Sequence, residues 1–317
     1  MTDANAMTDT DAMTDADAMP DADVMPEADA APSTVRSRDV LLRLRRNPGA
    51  LVGLGIVGVI VFIALFAPLI APEHPSGQAY LDRLGGHCCP GPSADHWFGL
   101  DELGRDVFSR IVYGARVSLV VALVSVSLAL VAGGLIGAAA GYFGGGIDAT
   151  MMRVVDVMLA FPSFLFAIGL VALLGPGLWQ LMVAIGVANI PVFARLLRGS
   201  MLSVRGTSYV AAARVLGLPS RRVLTVHMLP NAVSPLIVAA TLALATAIIE
   251  TAGLGFLGLG SADPAQPEWG AMLANTTRFL QTAPHLAIFP GVAILFTVLG
   301  FNLLGDGLRE AIDPRLS

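Results

Sequence analysis

The sequence predicts an all-α integral membrane protein of six transmembrane helices, on three observations. Of 317 residues, 55% are hydrophobic and only 14% charged, against about 25% charged in an ordinary soluble domain. The mean hydropathy is +0.72. Six apolar runs are each long enough to cross roughly 30 Å of hydrocarbon, which takes about 20 helical residues.

Residues 1–35 come before any apolar run. They open with a six-residue repeat, MTDANA, MTDTDA, MTDADA, MPDADV, MPEADA, and residues 1–30 hold nine acidic residues and no basic one. Such a stretch buries too little apolar surface to offset its ordering entropy, so it is expected to be a disordered acidic tail. It lacks the basic start and small-residue cleavage site of a signal peptide, so its removal is not expected. A role for its spaced methionines as soft-metal ligands is the functional alternative.

Residues 36–72 carry the cluster Arg36, Arg38, Arg43, Arg45 and Arg46, followed by the first span at about 50–71. Residues 73–116 form a loop before the second span. Residues 117–317 hold five more spans, at about 117–140, 155–174, 178–197, 232–257 and 286–305, with a polar loop at 198–231.

Arginine placement sets the orientation. With the N-terminus in the cytoplasm, six crossings leave fourteen arginines inside and five outside: Arg83, Arg105, Arg110, Arg116 and Arg278. The excess fits the positive-inside rule. Both termini and residues 198–231 are therefore expected on the cytoplasmic side, and 73–116 on the outer side.

Gly133, Gly137, Gly141 and Gly145 recur every fourth residue, which puts small residues on one helix face for close packing or for sliding. Pro162, Pro191, Pro235 and Pro290 lie in or near the ends of later spans. Each removes a backbone donor and tends to kink its helix.

All nineteen basic residues are arginine. With no lysine, a phosphate loop ending in Gly-Lys-Ser/Thr is excluded, and so is Schiff-base chemistry. Gly260-Ser261 lacks the frame of a nucleophile elbow. No covalent reaction and no cofactor are expected, and nothing points to nucleic acid.

Several polar groups are candidate sites. Glu250, deep in the fifth span, either receives the amino end of a peptide on a translocation path or hydrogen-bonds a neighbouring helix. Asp156, at the start of the third span, is read as a helix N-cap or as the partner of Arg153. His87, Cys88, Cys89 and His96 are of metal-ligating type, but their spacing matches no zinc-finger pattern, and a bond between adjacent cysteines makes a poor staple. Asp101, Glu102, Arg105 and Asp106 either cap the outer mouth or touch a partner protein there, or pair locally and shape a surface helix.

The polar stretch GTSYVAAARVLGLPSRRVLTVHMLPN, residues 206–231, reads as a helix hairpin. Tyr209–Leu216 form one helix, Gly217, Leu218 and Pro219 turn the chain, and Ser220 caps a second helix running toward His227. Alanines 211, 212 and 213 leave a slim surface that another protein can approach.

This stretch resembles the EAA loop of ABC-importer permease subunits, with Ala212, Ala213, Gly217, Leu229 and Pro230 matching the pattern and Ala211 standing in place of its glutamate. The substitution removes an acidic contact while keeping the shape. The segments HWFGLDELGRDVFSRIVYGARVSL at 96–119, ETAGLGFLGLGSADPAQPEWGAML at 250–273 and LGDGLREAIDPRL at 304–316 are similar to the DppC/OppC branch of dipeptide, oligopeptide and nickel permeases. The resemblance spans about residues 40–317.

It implies a type I importer permease (MetI-like) fold in a bacterial inner membrane. It further implies a heterodimer with a second permease, two ATP-binding cassette ATPases gripping the coupling loops, and an extracytoplasmic binding protein that delivers di- or oligopeptides. Tyr209, Ala211, Ala212, Ala213, Gly217, Arg221, Leu229 and Pro230 would then meet the ATPase, with Arg221 and Arg222 alternatively at lipid headgroups. A nickel or other small-solute permease of the same branch is the near alternative. A proton-coupled secondary transporter is the distant one, disfavoured by the scarcity of intramembrane charge and the lack of an evident repeat.

Overall fold

In the computed structural model, residues 37–78, 80, 81, 88–261, 263 and 265–312 are described. The acidic tail, Arg36, Arg83 and His87 therefore lie outside the described residues, as do Pro314 and Arg315. The described chain is helical: α1 Ser37–Arg46, α2 Pro48–Leu65, α3 Ala67–Ile70, α4 Val107–Phe143, α5 Gly145–Leu159, α6 Ser163–Leu174, α7 Leu178–Arg205, α8 Ser208–Val215, α9 Ser220–Arg222, α10 Leu229–Ala232, α11 Ser234–Phe256, α12 Trp269–Thr276 and α13 His285–Ile312. A π-helical turn, Val223–Met228, joins α9 to α10.

Among the described residues five helices, α2, α4, α7, α11 and α13, are long and apolar enough to cross a membrane, and α5 with α6, bent by 89° at the break between them, counts as a sixth if the pair is one span. The helix begins ten residues ahead of the expected 155–174, and the break falls at Pro162, where a kink in the third span is expected. Its cause is local: the residue before a proline avoids the α-helical region, and proline itself donates no hydrogen bond. The chain accordingly leaves the helix at Ala160–Pro162 and restarts at Ser163, with Pro162 as the N-cap residue of α6. Pro191 and Pro290 sit inside α7 and α13, whereas Pro235 occupies the first turn of α11, where no backbone donor is lost.

The second span is longer than the apolar run alone, because Asp106 caps α4 by accepting from the Ser109 backbone N–H and so starts it ahead of residue 117. At its other end Gly144 takes a φ of +69° and separates α4 from α5. Gly145 therefore starts a new helix and has open space beside it, unlike the other three glycines with which the spacing had grouped it. Those three meet α7 closely. A Cβ at Gly133 would lie 2.5 Å from the Ile190 carbonyl oxygen, and one at Gly141 the same distance from Met201 Cβ. The α4–α7 pair is the most extensive helix contact in the fold.

The main core runs through α4, α6, α7 and α11 and continues into the hairpin through Val210, Ala213, Val223, Met228 and Ala232. A second cluster, around Trp269 and Met272 of α12, ties together α2, α4 and α13. The outward faces of the spans expose Leu69, Leu135, Leu165 and Leu173, as a surface solvated by acyl chains requires.

Candidate functional site

The polar hairpin is built on one anchored face and one open face. In α8, Val210 is fully buried and Ala213 is 5% exposed, so this side continues the core. One turn around the helix, Ala211 and Ala212 are exposed, followed by Val215 at 88% and Leu216 at 80% exposure. Positions 211, 212, 215 and 216 share one helix face at i, i+1, i+4 and i+5. Four apolar side chains thus stand open on a helix whose other face is packed into the core. The sequence reading found the alanines but not Val215 and Leu216, although the same spacing carries all four.

The turn between the arms is a C-terminal cap of the Schellman type. Leu218 N–H donates to the Ala213 carbonyl and Gly217 N–H to the Arg214 carbonyl, with Gly217 at φ +76°. The second arm begins differently from expectation. Pro219 is its N-cap residue, with extended backbone and no side-chain cap bond, and Ser220 is the first helical residue rather than the cap. Arg221 and Arg222 are exposed.

Pro230 accounts for the π-turn that follows. Its ring nitrogen cannot donate, and the preceding Leu229 N–H donates to Leu224 five residues back instead of four. Leu229 is half-buried against the core and Pro230 is exposed. The arms are pinned at His227, whose carbonyl accepts from the Asn231 side chain at 2.8 Å, while the Tyr209 hydroxyl approaches it at 3.5 Å.

Glu250 lies inside the bundle, 5% exposed. One carboxylate oxygen accepts from the Ser163 hydroxyl at 3.1 Å, and the other accepts from the Asn189 amide at 3.0 Å. Three elements thus meet at one side chain: α11, α7 and the first residue of α6, just beyond the 89° bend.

The remaining candidates resolve into local pairings. Asp156 is neither an N-cap nor the partner of Arg153. It sits within α5, where one turn of helix separates it from the end, and it pairs with Arg195 of α7 at 2.5 Å. Asp148 makes a two-point contact with Arg198, at 2.5 and 2.7 Å. Asp101 pairs with Arg105 at 2.6 Å and lies 3.6 Å from Arg110, while Glu102 is half-buried nearby. Cys88 and Cys89 are bonded to each other. His96 is buried against Tyr80 with Nδ1 3.7 Å from Asp106. Among the described residues, no three His, Cys, Asp or Glu side chains come together as a metal site.

A buried carboxyl outside the spans went unnoticed in the sequence. Glu268 is fully buried and caps α12 by accepting from the Gly270 and Ala271 backbone N–H groups. Burial raises its pKa to about 7, against the opposing pull of those two hydrogen bonds.

Residues 133–317 match the model of the binding-protein-dependent transport system inner membrane component, and residues 36–85 match the N-terminal TM domain of oligopeptide transport permease C. The chain is 47% identical to a dipeptide transport system permease protein DppC of Alkalihalophilus pseudofirmus, over 88% of this chain and 90% of that protein. It is 45% identical to a di/tripeptide transport system permease protein DppC of Pseudomonas aeruginosa, over 85% and 89%. A glutathione transport system permease protein GsiD of Pectobacterium atrosepticum is 43% identical, over 86% and 89%. In fold, a chain of the inward-facing MetNI methionine ABC transporter aligns with a TM-score of 0.54 at 21% identity, covering 64% of this chain and 97% of that one.

Proposed function

The chain belongs to the family of inner membrane components of binding-protein-dependent transport systems, and on that premise we propose that it is the peptide-importer subunit that receives the stroke of a partner ATPase through the hairpin 206–231. The observation that carries this reading is the open stripe Ala211, Ala212, Val215 and Leu216 on a helix whose other side is locked into the transmembrane core. A push on such a stripe moves α7 and α11 directly, because the hairpin connects their ends. A lever whose two positions are favoured differently by the partner's nucleotide state converts that preference into tilting of the spans.

The relatives named above bear the titles of dipeptide, di/tripeptide and glutathione permeases, which supports short peptides as the solute. A second permease completes the path, and an extracytoplasmic binding protein supplies the peptide. Arginine placement supports cytoplasmic termini and a cytoplasmic hairpin in a bacterial inner membrane. We assign Tyr209, Ala213 and Leu229 to anchoring the hairpin, Ala211 and Ala212 to contact, Gly217 and Pro230 to its shape, and Arg221 to the rim of the interface. For Glu250 we favour holding α6, α7 and α11 together over contact with solute, since both its oxygens are engaged within the chain's own bundle.

Reconstitution in proteoliposomes with the cognate second permease, ATPases and binding protein tests the proposal. Uptake of a labelled dipeptide is expected only with ATP inside the ATPase-bearing compartment. Equal uptake driven by a proton gradient without ATP would overturn it in favour of a secondary transporter.

A further inference from the structure

We propose that the recess between the end of α1, the start of α2 and the end of α13 binds the phosphate of an anionic phospholipid. The recess is an open groove of about 460 Å³, lined by Arg43, Arg46, Asn47, Gly307 and Glu310 among others. Arg43 and Arg46 are three apart on α1 and so lie on neighbouring positions of one face. Glu310, the one carboxylate among its described lining residues, accepts from the Asn47 side-chain amide and keeps its charge. Asn47 is in turn held, because its carbonyl oxygen caps α2 by accepting from Ala50 N–H at 3.0 Å. Two arginines therefore line the recess against one carboxylate among the described residues, which leaves it a net positive charge.

The surroundings decide the source of the anion. Leu41 and Leu42, on the same short helix, are each 57% exposed, and Leu51 and Val52 are exposed on the first turns of α2. An arginine-bearing amphipathic helix leading into a span lies at the headgroup level, with its leucines toward the acyl chains. Guanidinium groups there bind phosphate in a two-pronged, charge-assisted manner. A lipid satisfies both halves of this surface, whereas a soluble anion satisfies only the arginines.

The full-length chain, extracted from membranes containing both phosphatidylglycerol and phosphatidylethanolamine, would be assayed by mass spectrometry for retained lipid. Enrichment of phosphatidylglycerol is expected, falling roughly fivefold in R43Q and in R46Q, as loss of one guanidinium near a headgroup implies. R45Q removes an equal charge from the same helix but not from the recess, and should lower retention clearly less than R43Q or R46Q, because it leaves the two-pronged phosphate contact intact. Equal loss in R45Q would overturn the site and leave only diffuse attraction. Equal retention of the two lipids by the unaltered chain would also overturn it, as would displacement of phosphatidylglycerol by millimolar inorganic phosphate.

Discussion

The side-chain amide of Asn189 donates to the carboxylate of Glu250 at 3.0 Å, joining α7 to α11 in the interior of the bundle. With Ser163 on the other oxygen, the carboxylate also fixes the start of α6 after the bend. A buried acceptor left without its donors, or donors left without it, loses more than the bond itself.

Glu250→Ala should therefore lower stability by about 1–3 kcal/mol through loss of the two hydrogen bonds that tie α6 and α7 to α11, since Ser163 is exposed and Asn189 keeps its bond to the Ile185 carbonyl. Glu250→Gln, which keeps one acceptor oxygen, should lie closer to the unaltered protein and retain peptide uptake. Thermal unfolding in detergent and uptake in proteoliposomes measure the two effects. Loss of uptake in Glu250→Gln at unchanged stability would place the carboxylate on the solute path instead.

Substitution on the open face of α8 should separate docking from folding. Ala212→Arg puts a long charged side chain where only a methyl group stands, and co-purification with the ATPase should drop at least tenfold with no change in unfolding temperature. Gly217→Val acts on the turn, where φ is +76°. A branched side chain in that conformation costs about 1–2 kcal/mol, so the hairpin should become more susceptible to proteolysis as ATPase binding falls. Undiminished ATPase binding by both variants would remove the hairpin from the interface.

Gly133→Leu should prevent α4 and α7 from meeting, since even a Cβ there would press on the Ile190 carbonyl and on Phe193 Cβ, the latter at 2.8 Å. Overpacking of this kind costs about 1–3 kcal/mol or more. Gly145→Ala has open space but carries a positive φ of +57°, so its expected penalty is the smaller conformational one. The yield of monodisperse protein after extraction ranks the two.

Stability should fall as pH rises from about 4.5 to 7, the interval between the ordinary glutamate pKa and that of Glu268. Below it the carboxyl is protonated in folded and unfolded chains alike. Within it the unfolded chain ionises first, and above it both are charged and the penalty is constant. The shift corresponds to a loss on the order of 3 kcal/mol. Glu268→Gln should flatten that part of a plot of unfolding temperature against pH; an unchanged slope would assign the titration to another group.

Much of the fold is legible in the chain because the bilayer imposes it. Long apolar runs must satisfy their own backbone groups, so α2, α7, α11 and α13 lie close to where hydropathy puts them. The bend at Ala160–Pro162 is less legible, since a proline fixes the interruption but not the direction in which the chain resumes. The hairpin's Gly-Leu-Pro turn was readable from residue types alone, whereas the choice of Pro219 over Ser220 as N-cap depends on backbone angles.

Composition and hydropathy by themselves determined that this is a membrane-embedded helical protein without a lysine-based nucleotide or Schiff-base site, because those features depend only on which residues are present and how long the apolar runs are. Tertiary structure decided which partner each of these polar groups meets: Asp156 with Arg195, and Glu250 with Asn189 and Ser163. The pairing distances of 39 and 61 residues are the physical reason. Contacts so remote in sequence form only where helix packing brings two faces together, and no local spacing records that meeting.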